Sequence, residues 1–135
     1  MNLPLRALCV TPAAVLALIA GGATPADAAW ESVLSYQGAK TQACRAPQAD
    51  GDVRVKVRLN NTQGRALATG GLNRVKADGS PGSQWTYTRG STRPGAISNQ
   101  VALDFKPGAK VYLLIGSQVG ITGERTVKVA SLRRC

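Results

Sequence analysis

The 135-residue chain contains no histidine. That absence excludes Ser-His-Asp and Cys-His catalysis and removes a principal zinc ligand. Aromatics are scarce, with two Trp, three Tyr and one Phe, so the interior must be built mainly from aliphatic residues. Acids are few as well. Seven Asp and Glu stand against 17 Lys and Arg, for a formal net charge of +10. There are three cysteines, which leaves little thiol for redox or metal chemistry. Beyond residue 20 no stretch stays apolar for the roughly 20 residues that a membrane-spanning helix takes.

What is present begins with an export signal over residues 1–28. Arg6 supplies the basic start, Ala13 to Ala20 an apolar core, and Ala26-Asp27-Ala28 a small-residue cleavage site. The core is too short for a stable anchor. Cys9 precedes it and leaves with the signal. The mature chain is then residues 29–135, or 135 − 28 = 107 residues, one domain's worth. Losing Arg6 and Asp27 leaves 16 basic and 6 acidic residues, so the balance stays at +10. The expected location is secreted and extracellular.

Two mature cysteines, Cys44 and Cys135, remain. An even count in an exported chain reads as a disulfide. Their separation is 135 − 44 = 91 positions, and closing a loop near that size contributes about 4–5 kcal/mol.

The dominant hydrophobic period is two. From residue 52 to 60, Val53, Val55, Val57 and Leu59 alternate with Arg54, Lys56 and Arg58, the pattern of a half-buried antiparallel strand. Val101, Leu103 and Phe105 repeat it, followed by Val111, Leu113 and Ile115, then Val127 and Val129. Leu67, Leu72 and Val75 predict one broken strand or two short ones around Gly70-Gly71. Ser32 to Tyr36 predicts an edge strand, with Trp30 needing cover. Turn signals separate these runs: a hairpin connection over residues 60–64, loops over 78–82 and 93–95, a type II turn at Lys106-Pro107-Gly108, and a hairpin end over 116–123.

This pattern predicts an all-β fold: an antiparallel β-sandwich of seven or eight strands, similar in architecture to immunoglobulin-like or fibronectin-like modules. The terminal position of the second cysteine departs from the immunoglobulin pattern, so the likeness concerns architecture alone. A small closed β-barrel is the alternative.

No acid stands in an evident catalytic pair. Asp104 alternates with Leu103 and Phe105 and faces solvent, while Asp50, Asp52 and Asp78 sit beside glycines in turns. Asp50-Gly51-Asp52 lacks the further oxygens of a calcium loop and reads as a turn. The glycine-rich run at 116–123 is followed by no Lys-Ser or Lys-Thr, so it is not a phosphate loop. Asn60-Asn61-Thr62 fits the glycosylation acceptor pattern. The expectation is a non-enzyme with no cofactor and no metal.

Two features point to binding. Arg54, Lys56 and Arg58 form a line of cations about 13 Å long on one strand face, suited to a polyanion or to plain solubility. The segment from Gly79 to Gly95 holds Trp85, Tyr87, Arg89 and Arg93 among small residues. It is either a recognition loop or a strand whose aromatics enter the core. The resulting expectation is a monomeric secreted module that binds an anionic cell-wall polymer, a polysaccharide or an extracellular protein, with nucleic acid as a lesser possibility. The rival from another class is a secreted effector, either an antimicrobial toxin or a protease inhibitor with Arg89-Gly90 as its target bond.

Overall fold

The alternation from Val53 to Leu59 is realised directly. Val55, Val57 and Leu59 are completely buried, and the cations between them face outward from strand β3, Val53–Asn60. The computed structural model describes residues 29–135. The signal reading for residues 1–28 lies outside the described residues. The other strands are β1 (Glu31–Tyr36), β2 (Ala39–Pro47), β4 (Thr69–Arg74), β5 (Thr86–Tyr87), β6 (Val101–Phe105), β7 (Lys110–Ser117) and β8 (Gly120–Lys128). A 3-10 turn at Val129–Ser131 follows.

The strands form two antiparallel four-stranded sheets, ordered β1-β2-β3-β6 and β5-β4-β7-β8. The sheets pack face to face, so the expected sandwich is present with eight strands. The barrel alternative is overturned, because β1, β6, β5 and β8 each remain an edge and the sheets do not join. The immunoglobulin order, in which the fifth strand follows the second within one sheet, is not the order here. Between the sheets lie Val33, Ala43, Val55, Val57, Leu72, Phe105, Val111, Leu113, Val129 and Leu132. A smaller cluster of Ala39, Leu59, Ala68 and Ile115 continues the core. Phe105 is the one ring among these buried residues, as the shortage of aromatics requires.

Turn chemistry explains the strand ends. Gln37 and Gly38 both have positive φ, 45° and 84°, the backbone of a two-residue β1–β2 hairpin. The expected turn at Lys106-Pro107-Gly108 is present: Gly108 has φ 82° and the Ala109 N–H donates to the Lys106 carbonyl at 3.1 Å. It carries the chain from β6 in the first sheet to β7 in the second. Gln118-Val119 closes the expected β7–β8 hairpin.

Three local expectations are corrected. Residues 60–64 do not close a hairpin; they begin the crossing from β3 to β4 in the other sheet. The cause is Asn61, fully buried, whose Nδ2 donates to the carbonyls of Ala66 (2.9 Å) and Thr92 (2.7 Å) and so pins the crossing inside the fold. Gly70-Gly71 does not break its strand: β4 pairs with β7 without interruption from Thr69 to Arg74, and the glycines fit close neighbours, with Thr41 and Leu59 within van der Waals reach of a Cβ at Gly70 and Tyr87 and Leu114 crowding Gly71. Val129 is buried as expected but leaves the strand. The chain must turn there to return to the first sheet.

That return places the expected disulfide. The Arg45 N–H donates to the Arg133 carbonyl at 2.8 Å and the Cys135 N–H to the Arg45 carbonyl at 2.9 Å, so the tail runs parallel beside β2. Cys44 and Cys135 are bonded there with Cα atoms 5.0 Å apart.

Candidate functional site

Arg54, Lys56 and Arg58 share the outer face of β3, but each is engaged differently. Arg54 stands opposite Asp104 on β6. Its guanidinium forks onto that carboxylate through Nε (2.8 Å) and Nη2 (3.0 Å). The hydrogen bond and the charge raise the Arg54 pKa and hold the Asp104 carboxyl below the usual carboxylate range. Arg58 donates to Gln42 Oε1 at 2.9 Å and lies 4.5 Å over the Trp30 ring. Gln42 in turn donates to Ser32 Oγ at 3.3 Å. Trp30 thus has the cover it needed, and a polar chain stitches β3, β2 and β1 together. Lys56 lies between, flanked across the strands by Cys44 and Ala102. Much of this face is therefore committed to holding its own sheet.

Trp85 and Tyr87 do not enter the core, so the strand-core alternative for them is overturned. Thr88 and Thr92 are the buried side chains of that segment, at 1% and 7% exposure. Trp85 and Tyr87 lie on the outer face of the second sheet, since Tyr87 pairs with Gly71 and Leu72, next along β4, points into the core. Their rings are 6.0 Å apart and within 24° of parallel. Trp85 also meets the edge of Tyr112 at 5.5 Å. Tyr112 alternates with buried Val111 and Leu113, and that alternation in the sequence could have flagged it as an outward aromatic.

Arg89 and Arg93 are exposed. Thr88 and Thr92 anchor the tip between them to β4: the Thr88 N–H donates to the Gly70 carbonyl at 2.9 Å and the Thr92 N–H to the Ala68 carbonyl at 2.7 Å. Gly90 has φ 62°, which turns the chain immediately after Arg89. A protease binds its target segment extended, so this bend disfavours Arg89-Gly90 as a target bond.

One end of the sandwich carries a cleft of about 650 Å³ whose lining comes from segments far apart in the chain. Arg74, Lys76, Lys106 and Lys110 line it together with Asp52, Asp104 and an apolar floor that includes Val75, Phe105 and Ala109. Both acids already hold partners. Asp52 accepts from Lys106 Nζ at 2.8 Å, which raises the lysine pKa, and Asp104 accepts from Arg54. Arg74 is fixed by donating from Nη2 to the Asp104 carbonyl at 2.8 Å and by packing over Phe105 at 5.5 Å. The cleft consequently presents net positive charge on a preset frame.

Among the described residues no three His, Cys, Asp or Glu side chains gather as a metal site, and no helix is long and apolar enough to cross a membrane. Comparisons with protein-family models, curated proteins and solved structures return no match for this chain.

Proposed function

We propose that this chain is a secreted, non-enzymatic β-sandwich that binds an anionic polymer of the cell envelope or its surroundings through its basic surface, with the end cleft as the principal contact. One observation carries the reading: the cleft gathers four cations against two acids, and of those acids Asp52 is paired with the cleft's own Lys106 while Asp104 is paired with Arg54 from outside the cleft. Other acids are engaged as well. Glu31 accepts from the Arg133 N–H, Asp50 from the Asp52 N–H, Asp78 from Ser80, and Glu124 from the Tyr112 hydroxyl. With 16 basic against 6 acidic residues in 29–135, a positive excess remains at the surface, and it attracts polyanions over a range set by salt.

Calorimetric titration with polyphosphate and with polygalacturonate at rising salt tests this. Binding that weakens steeply with salt is expected. Lys76→Gln with Lys110→Gln should weaken it roughly 10–30-fold, at about 1 kcal/mol per cation near an anionic surface. Affinity no higher than that of an unrelated β-protein of equal charge would remove the proposal.

A further inference from the structure

Half of the chain's six aromatic residues gather on the outer face of the second sheet. Stability favours the opposite, with large apolar rings inside. The sheet makes room for them. Gly71 has no side chain, and a Cβ there would come within 3.0 Å of Tyr87 Cδ1 and 3.2 Å of Leu114 Cγ. The Tyr87 ring thus lies against the bare backbone of β4 beside Leu114, which is only 1% exposed, while Tyr87 itself remains 47% exposed. Trp85 sits next to it with its ring nearly parallel, and Tyr112 braces Trp85 from the side. The Tyr112 hydroxyl donates to Glu124 Oε2 at 2.7 Å, so a carboxylate borders the rings.

The register of β7 and β8 sets what lies along this face. Lys110 pairs with Lys128, Tyr112 with Thr126, and Leu114 with Glu124. Cross-strand partners share a face, and alternate residues are about 6.6 Å apart. Two exposed cations therefore stand one step from the aromatic group, and Lys110 also lines the end cleft. Along β7 and β8 the order is the paired cations, then Tyr112 of the aromatic group, then the Glu124 carboxylate.

We propose that this face binds a chain of acidic sugars. The apolar C–H face of a sugar ring stacks on Tyr87 and Trp85. Ring hydroxyls donate to Glu124. Carboxylate or sulfate groups reach Lys110 and Lys128. The inference rests on the anionic-partner reading and names the polymer class. A single-stranded nucleic acid also stacks on aromatics, but a DNA strand has no free hydroxyls along its backbone to donate to Glu124, whereas a sugar chain does.

The test uses the full mature chain and four probes: an oligogalacturonate, an uncharged maltooligosaccharide, polyphosphate and oligothymidylate. Calorimetry reads affinity. Emission from a Trp30→Phe protein, whose remaining tryptophan is Trp85, reads contact with the rings. The oligogalacturonate should shift that emission, and Tyr87→Ala should weaken its binding roughly tenfold while polyphosphate affinity stays within about twofold. Lys128→Gln should weaken the acidic sugar and leave the uncharged one unchanged. Tyr87 is exposed, so its variant folds and keeps the calorimetric arm decisive even where Trp30→Phe fails to fold. Equal binding of oligogalacturonate and polyphosphate, both indifferent to Tyr87→Ala, overturns this inference and leaves the anionic-partner reading standing. Oligothymidylate binding tighter than the acidic sugar and lost in Tyr87→Ala overturns it in favour of nucleic acid. Failure of every polyanion to bind overturns the reading beneath it.

Discussion

Replacing Cys44 and Cys135 together with alanine opens the covalent loop and leaves almost everything else in place. The segment between them, at a sequence separation of 91, carries β3 to β8. A closed loop of that size restricts the unfolded chain by about 4–5 kcal/mol at 25 °C. Cys44 is fully buried, so losing its sulfur adds on the order of 1 kcal/mol. A domain of this length has a total stability of about 5–15 kcal/mol. The open chain should therefore still fold, with a thin margin. The tail keeps attachments of its own, since Val129 and Leu132 are buried at 1% and 3% exposure and two backbone hydrogen bonds tie it to Arg45. Urea unfolding followed by circular dichroism measures the outcome. With a slope near 1.5 kcal/mol/M, the midpoint should fall by about 3 M. A fall below roughly 0.5 M would mean that loop closure does not govern stability here. Loss of strand signal in water at room temperature would refute the view that the bond clasps a core already sufficient to fold.

Three further outcomes follow from named contacts. Leu113→Ala removes a completely buried side chain from the main core and should cost about 3–5 kcal/mol, whereas Val119→Ser at the 92%-exposed hairpin tip should change stability by under about 0.5 kcal/mol; similar urea midpoints for the two would contradict the assigned core. Gly64→Ala places a Cβ on Asn61 Oδ1, forcing the amide off its two carbonyl partners, and should cost about 2–4 kcal/mol in the same assay; a neutral effect would show that Asn61 does not pin the crossing. Asp104 and Asp78 are held below their ordinary value of 3.8 by hydrogen bonds from Arg54 and Ser80. Their folded pKa is lower than their unfolded one, so their contribution is present above about pH 4 and is lost as pH falls through the folded value. Melting temperature should drop below about pH 4, and Arg54→Gln should flatten part of that drop; an identical slope in the variant would remove Asp104 from the account.

The strands were legible wherever one face meets the core and the other meets water. Val53 to Leu59 alternates because β3 packs inward and is solvated outward: of the side chains expected inward, Val55, Val57 and Leu59 have no exposure and Val53, at the strand's start, is partly buried. Partners across strands were not legible. Asp104 could be read as outward-facing and Arg54 likewise, yet nothing in the sequence says that β6 lies beside β3 in the register that joins them. Turn residues gave the same partial knowledge. Asn60 to Gly64 marks a place where the chain bends, but whether it folds back on β3 or crosses to the other sheet is decided by where the Asn61 amide finds its carbonyls. The end cleft was invisible for a related reason. Arg74 and Lys76 lie about thirty positions before Lys106 and Lys110, and only the tight turn from β6 to β7 brings the two groups to one end.

Composition gives one number for charge, and that number does not separate solubility from recognition. Geometry sorts the cations by what they already touch. On the first sheet Arg54 grips Asp104 and Arg58 grips Gln42 over Trp30, so the ladder that stood out in the sequence is largely spent on joining strands. On the second sheet Lys110 and Lys128 stand beside three aromatic rings, and Lys110 also lines the cleft with Lys76. A face that binds itself has little left for a partner, since recruiting its cations would first require breaking their existing contacts. The surface that retains exposed cations beside an open aromatic ring is the one on which a partner gains contact without displacing any. That difference favours the second sheet, together with Lys76 and Lys110 of the end cleft, over the basic strand as the place where an anionic chain would lie.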